Sequence, residues 1–294
     1  MENNQTDKKK VHNTEEGYKK TLIQDKLLTS LFNIEESELL TGTIQFTEKG
    51  SEADKNSIDA FVNGNISWQV KMDFRSMLSG STALEIAQLK LNTQDSQRGH
   101  YMFPPIEGGI SKAALMDVHF IVYVIPGEGI AIWKPANLSR LAFNLMRDIP
   151  MNFDASNLEN RRGIGEPIKA ENAFKIGVAP NQGKDAGNIW NTLNYIIPND
   201  YMMREIEIGQ WELEYGTGLP VFHGTGQIIK PAKVIEWSEI LFDLRYDPEA
   251  LADIQQYFID YIYNRKFGKR KAQIIADIWD IPMDSVQLFD WGNN

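Results

Sequence analysis

Residues 58–72 read Ile58-Asp59-Ala60-Phe61-Val62-Asn63-Gly64-Asn65-Ile66-Ser67-Trp68-Gln69-Val70-Lys71-Met72, with apolar side chains at every second position on either side of Asn63-Gly64-Asn65. A period of two is that of a strand with one buried face, so the stretch is a hairpin. Its register follows from matching faces. A two-residue loop at Asn63-Gly64 opposes Asp59 to Trp68 and mixes polar with apolar. A three-residue loop pairs Val62 with Ile66, Ala60 with Trp68 and Asp59 with Gln69. Only the second keeps apolar on apolar, with Phe61 left as the exception on the polar face.

That register gathers chemistry. Asp59 and Gln69 face each other with Cβ atoms about 5 Å apart, and Lys71 follows about 7 Å along the same strand face. A carboxylate and an amide carbonyl are hard oxygen donors suited to Mg²⁺ or Mn²⁺, which keep several waters. Such an ion polarises a phosphodiester and acidifies a bound water, while an ammonium group orients that water or neutralises charge on phosphate. A further carboxylate from the first helix, Glu15 or Glu16, would complete the cation site.

Outward from the hairpin, residues 1–12 read as a flexible polar tail. A helix begins at Thr14, which can cap it, and Tyr18, Leu22, Ile23, Leu27 and Leu31 repeat at helical spacing towards Asn33. Ser79 to Leu91 reads as a helix with Leu84, Ala87, Gln88 and Leu91 on one face, and residues 92–111 as a long loop holding Arg98 and His100. Val118 to Ile125 is a buried strand, joined through Pro126-Gly127-Glu128-Gly129 to a partner at Ile130 to Trp133. Asn137 to Arg147 is the helix covering them. A domain boundary is expected across residues 154–170, with a C-terminal region at 165–294 that mixes strands with an amphipathic helix, Ala250 to Tyr263.

The order of a glutamate-bearing helix, a loop, Ile58-Asp59, a turn and Trp68-Gln69-Val70-Lys71 resembles the PD-(D/E)XK nuclease superfamily, in the variant with glutamine in place of the first motif acid. The resemblance covers about residues 14–147. It implies an α/β (mixed α+β) fold with a restriction-endonuclease-like αβββαβ core over residues 13–153, followed by a mixed, partly helical C-terminal extension. It also implies a divalent-metal-dependent endonuclease: Asp59 as principal metal ligand, Gln69 as second ligand, Lys71 as catalytic lysine and Glu16 or Glu15 as the helix-borne acid. Restriction or antiphage defence is the natural setting for such a resemblance. Two departures stand out: Ile58 takes the place of the motif proline, and Gln69 removes one negative charge. The rival expectation is a nuclease fold without activity, serving as a DNA- or protein-binding subunit.

Composition sets the bounds. The 294 residues include no cysteine, which excludes disulfide frameworks, thiolate zinc sites and cysteine nucleophiles. The net charge of −10 argues against bulk electrostatic coating of nucleic acid. Local basic groups remain candidate phosphate contacts: Arg75, Arg98 and the run Arg265, Lys266, Lys269, Arg270, Lys271. No long apolar run or leader is seen, so a soluble cytoplasmic protein is expected, as a homodimer or with a partner subunit.

Other signals carry less. Gly177 to Asp185 imitates a phosphate loop but has five residues between its glycines, so a polar turn is the better reading. His119 reads as a satisfied core residue, and the tryptophans as core or interface anchors. Lys271 to Phe289 imitates a helix-turn-helix with Asp280 at the usual glycine, and acids on its second helix favour a pair of helices used for packing.

Overall fold

The hairpin at 58–72 takes the three-residue register. In the computed structural model, which describes residues 3–34, 40–90, 106–107, 109–146, 175–182, 189–213 and 220–286, β2 (Ala60–Val62) and β3 (Ile66–Met72) pair Ala60 with Trp68, Phe61 with Ser67 and Val62 with Ile66. Asn63 and Gly64 hold φ of 52° and 78°, and the Asn65 amide donates to the Val62 carbonyl at 3.3 Å. Asparagine and glycine tolerate this left-handed turn, whose twist matches the strands.

The hairpin is the start of a six-stranded sheet. β1 (Ile44–Phe46) lies antiparallel outside β2, and β6 (Phe120–Ile125) runs parallel to β3 on its other side. β7 (Gly129–Trp133) and β12 (Lys233–Glu236) complete the order β1-β2-β3-β6-β7-β12, a mixed sheet in a mixed α/β protein. A parallel neighbour requires a crossover, and the chain between β3 and β6 carries α3 (Ser76–Ser79), β4 (Ser81–Lys90), β5 (Ile106–Glu107) and α4 (Gly109–Leu115).

Both faces of the sheet are covered. Trp68, Val70, Val122, Val124, Ile130 and Ile132 pack on one side with α1 (Asn3–Asn33), α7 (Trp237–Leu244), α8 (Pro248–Arg265) and α9 (Lys269–Ile278). Ile121, Tyr123, Ile125, Ala131 and Trp133 pack on the other with α4 and α5 (Pro135–Met146). Burial on both sides is why the strand is apolar without alternation; it begins at Phe120, two residues after the expected Val118, because His119 is exposed. The second side also holds the inner ends of a four-stranded sheet, β5-β4-β9-β8, with β8 at Lys175–Gln182 and β9 at Ile189–Pro198. After the short α6 (Asn199–Met203) comes a two-stranded ribbon, β10 (Ile206–Leu213) with β11 (Pro220–Ile229).

Four expectations are corrected. The first helix starts at Asn3, so most of the expected tail is helical and Thr14 lies inside the helix; no glycine or proline interrupts residues 3–16. Ser79 to Leu91 is not a helix: Ser81–Lys90 is a strand, because it finds edges to pair with in β9 and β5. The phosphate-loop imitation is strand as far as Gln182, paired from Gly177↔Asn194 to Gln182↔Ile189. Finally, β12 pairs with β7, and Ile235, Trp237, Phe258 and Trp279 share a core with Leu27, Trp68 and Val124. Hydrogen bonds and packing therefore join the two sides of the expected boundary, which itself lies outside the described residues.

Of the helical pair expected over Lys271 to Phe289, the first member is the helix Lys269–Ile278 and the second is, within the described residues, a single 3-10 turn at Met283–Ser285. Ala272, Ile275, Ala276, Ile281 and Val286 are buried, and Trp279 stacks on Phe258 with ring centroids 4.2 Å apart. Asp280, at the turn, holds φ of 54° where glycine is usual. Residues 287–294, including Trp291, lie outside the described residues.

Candidate functional site

Asp59 is fixed from several directions. Its amide donates to the Trp68 carbonyl at 2.8 Å, and its carboxylate Oδ2 accepts from the Val70 amide at 2.7 Å. The side chain thus takes over the strand ladder where the β2 backbone ends. On the other side the Thr47 amide donates to the Asp59 carbonyl at 2.9 Å, and Thr47 Oγ1 donates to that of Ile58 at 2.8 Å. The approach is strained: Ser57, two residues earlier, has φ of 64°, a conformation that costs a non-glycine residue about 1 kcal/mol or more. It follows the single turn α2 (Glu52–Lys55), whose last carbonyl accepts from Lys112 Nζ of α4.

Gln69 and Lys71 alternate with the core residues Trp68 and Val70, and register beside Ile121 and Tyr123 of β6. They therefore share the face covered by α4. Gln69 is only 3% exposed, yet its Oε1 has no hydrogen-bond partner among the described residues. A buried acceptor in this state costs about 1–3 kcal/mol unless something supplies it with positive charge. Lys71 is half-buried next to it and close enough to Asp59 for its ammonium to favour the carboxylate. Burial nevertheless dominates and holds the Asp59 carboxyl above its ordinary range.

The helical acid that feels the Asp59 charge is Asp25, which the sequence reading passed over; it lies on α1, which packs on the Trp68 and Val70 face of the sheet. Burial pushes its carboxyl up to about 6, with the Asp59 charge adding to the rise. Glu15 and Glu16 precede it by nine or ten residues, about 14 Å along the helix axis, and their side chains lie outside the described residues. The clue was available: Asp25 stands between Ile23 and Leu27, in the part of α1 that is buried, whereas Tyr18 and Leu22, assigned to the apolar stripe, are exposed.

A basic surface lies beyond the carboxyl end of β3. Phe74 follows Lys71 by three residues, about 10 Å along an extended chain. Its ring lies 6.0 Å from that of Tyr261, over which Arg265 sits at 5.7 Å, and Lys20 Nζ is 5.5 Å from the Phe74 ring. Arg75, Arg265, Lys266, Lys269, Arg270 and Lys271 are exposed. Lys20 joins this group from α1 and was not anticipated. Arg98 and His100 lie outside the described residues.

His119 is satisfied but not in the core: it is exposed at the head of β6, where its Nδ1 meets Ser67 Oγ at 2.7 Å and its amide donates to that oxygen at 3.1 Å. Among the described residues no cluster of three or more His, Cys, Asp or Glu side chains forms a ready-made metal cage, and no helix is long and apolar enough to cross a membrane. Comparison with protein-family models, curated proteins and solved structures finds no match for this chain. A functional reading therefore stands on the site's own chemistry.

Proposed function

We propose that the protein is a divalent-metal-dependent endonuclease that hydrolyses DNA phosphodiester bonds at Asp59, Gln69 and Lys71. The observation carrying this reading is the buried Gln69 Oε1, without a partner among the described residues, two positions from Lys71 on a strand whose Trp68 and Val70 backbone groups hold Asp59. A purely structural glutamine at this depth would be expected to satisfy its carbonyl.

The donor set fits a hard cation. Mg²⁺ or Mn²⁺ would rest on the Asp59 carboxylate and the Gln69 carbonyl, with Asp25 in reach of the same field and water completing the shell. When bound, the ion supplies Lewis-acid polarisation of the phosphate and a more acidic water. The chain's own residues do the rest. The Val70 amide and the Thr47 contacts hold Asp59 in one orientation, and Lys71 faces the phosphate position and offsets the charge that builds on it during attack. The basic turn Arg265 to Lys271, with Arg75 and Lys20, holds the phosphate backbone on the approach to the site.

The element order supports the same reading. With α2, α3, β4 and β5 taken as insertions, the succession of α1, β1-β2-β3, the crossover helix α4 and the parallel β6 is consistent with the αβββαβ order of the restriction-endonuclease-like core. The crossover helix is α4, whereas the helix after Pro135 follows β7. Restriction or antiphage defence in the cytoplasm is the setting proposed by that analogy.

One observation favours the second reading, an inactive nuclease fold that binds DNA or a partner chain: the strand position of the acid that precedes the lysine in the motif carries the neutral Gln69. Plasmid cleavage with Mg²⁺ or Mn²⁺ separates the two. Wild type is expected to cut, and Lys71→Ala and Asp59→Ala to cut roughly 100-fold more slowly or worse. Absence of metal-dependent cutting on single- or double-stranded DNA or RNA, with DNA binding intact, supports the inactive subunit.

A further inference from the structure

The chain turns sharply basic where α8 ends. From Tyr261 to Lys271 it holds five cations (Arg265, Lys266, Lys269, Arg270 and Lys271), three aromatics (Tyr261, Tyr263 and Phe267) and no acid, in a protein whose net charge is −10. Packing does not explain this composition: all five cations are exposed, and Tyr263 is 52% exposed. Local folding opposes it. Lys266 caps α8 with φ of 51°, a left-handed position that glycine usually fills at lower cost. Lys269, Arg270 and Lys271 form the first turn of α9, where the helix dipole disfavours positive charge. Strain and charge set against local preference point to a partner outside the fold.

We infer that this end of the molecule binds single-stranded nucleic acid, with phosphates on the cations and bases on the rings. Cations alone would serve a duplex, whose bases are stacked on one another and closed to a surface ring. A single strand exposes its base faces, and aromatic side chains set among cations grip it without regard to sequence. Rings stand on both sides of the helix end. Tyr263 is about 200° round α8 from Tyr261. On the Tyr261 side, the Arg265 guanidinium lies 5.7 Å from the Tyr261 ring, and the half-buried Phe267 packs edge-on to that ring with centroids 5.5 Å apart. A guanidinium steadied on a ring also stacks on bases. The path continues through Phe74, 6.0 Å from Tyr261, and Lys20, 5.5 Å from the Phe74 ring, to the end of β3 that carries Lys71. The inference deepens the nuclease reading, on which it rests for the fate of the strand, by naming a single strand as the substrate.

Fluorescence anisotropy of the full chain with a labelled oligo(dT) strand and with a duplex of the same length, in EDTA so that no metal chemistry intrudes, tests it. Wild type is expected to bind the strand at least 10-fold tighter than the duplex. Tyr263→Ala, at an exposed position, is expected to weaken the strand about 10-fold and the duplex less than twofold. Lys266→Gly is expected to raise the thermal midpoint, because glycine suits the cap, while making log affinity for the strand shallower against log salt by about 0.7. A purely structural Lys266 would leave that slope unchanged. Equal affinity for strand and duplex, a strand affinity that Tyr263→Ala leaves intact, or no binding to either overturns the inference. Plasmid cleavage with metal is read separately: cutting by a protein without preference for the strand leaves the nuclease reading standing, and strand preference without cutting leaves this inference standing alone.

Discussion

Gln69 shows how function opposes stability at a single residue. Its Oε1 is buried with no partner among the described residues, a desolvation cost that a bound cation would relieve. Gln69→Leu is accordingly expected to stabilise the metal-free protein by about 1 kcal/mol in chemical denaturation while abolishing cation binding. Loss of stability in that variant would mean that the carbonyl is already satisfied. Asp25 carries a pH signature. Its folded-state value of about 6 lies above the ordinary 3.8, so the native state binds the extra proton between those values and stability falls as pH rises through them. Asp25→Asn cannot lose that proton, so its stability relative to wild type should grow from pH 4 to pH 7, as read from denaturant midpoints at each pH. A flat difference would place Asp25 in ordinary solvent.

At the scale of elements, close approach of backbones decides more than propensity. Gly129 opens β7 with φ of 148°, and a Cβ there would lie 2.0 Å from the Ile235 carbonyl of β12 and 2.7 Å from Met203 Cε. Gly129→Ala must push β12 off the sheet and is expected to cost about 3 kcal/mol in thermal or denaturant unfolding. Gly80→Ala is the control: its φ is 64°, but nothing lies within 4 Å, so only the conformational cost of about 1 kcal/mol applies. The misread element has an equally local cause. A bulge between Glu85 and Ala87 sets Leu84 opposite Tyr195 and Ala87 opposite Leu193, two positions on one face of β9. One extra residue in a strand turns a spacing of two into a spacing of three, which in the sequence looks helical.

Across the whole molecule, the C-terminal third completes the first core rather than standing apart. Trp237, Ile240, Leu244, Ile254, Phe258, Ile262, Ile275 and Trp279 are all buried in the cluster that contains Leu27, Trp68 and Val124. Each contributes about 2 kcal/mol of burial, against a net stability of about 5–15 kcal/mol for a domain. A chain ending at Asp154 is therefore expected to lack a cooperative unfolding transition and to bind a hydrophobic dye, measured by circular dichroism and fluorescence. A sharp transition in that fragment would show an independent N-terminal domain. The same packing brings the basic turn at Arg265 to the end of β3, through the rings of Phe74 and Tyr261.

The sequence by itself determined the hairpin, its register and hence the shared face of Gln69 and Lys71, because a period of two leaves only one pairing that keeps apolar side chains together. It also determined the buried strand, observed at Phe120–Ile125, and its turn into Ile130 to Trp133, through an apolar run closed by proline and glycine. Only the tertiary structure decided which helical acid stands near Asp59, that the start of α4 approaches Gln69 and Lys71, that 81–90 is a strand and that β12 closes the sheet. Each of these depends on which distant segment supplies the neighbouring edge or wall, and local periodicity holds no record of a partner tens of residues or more away.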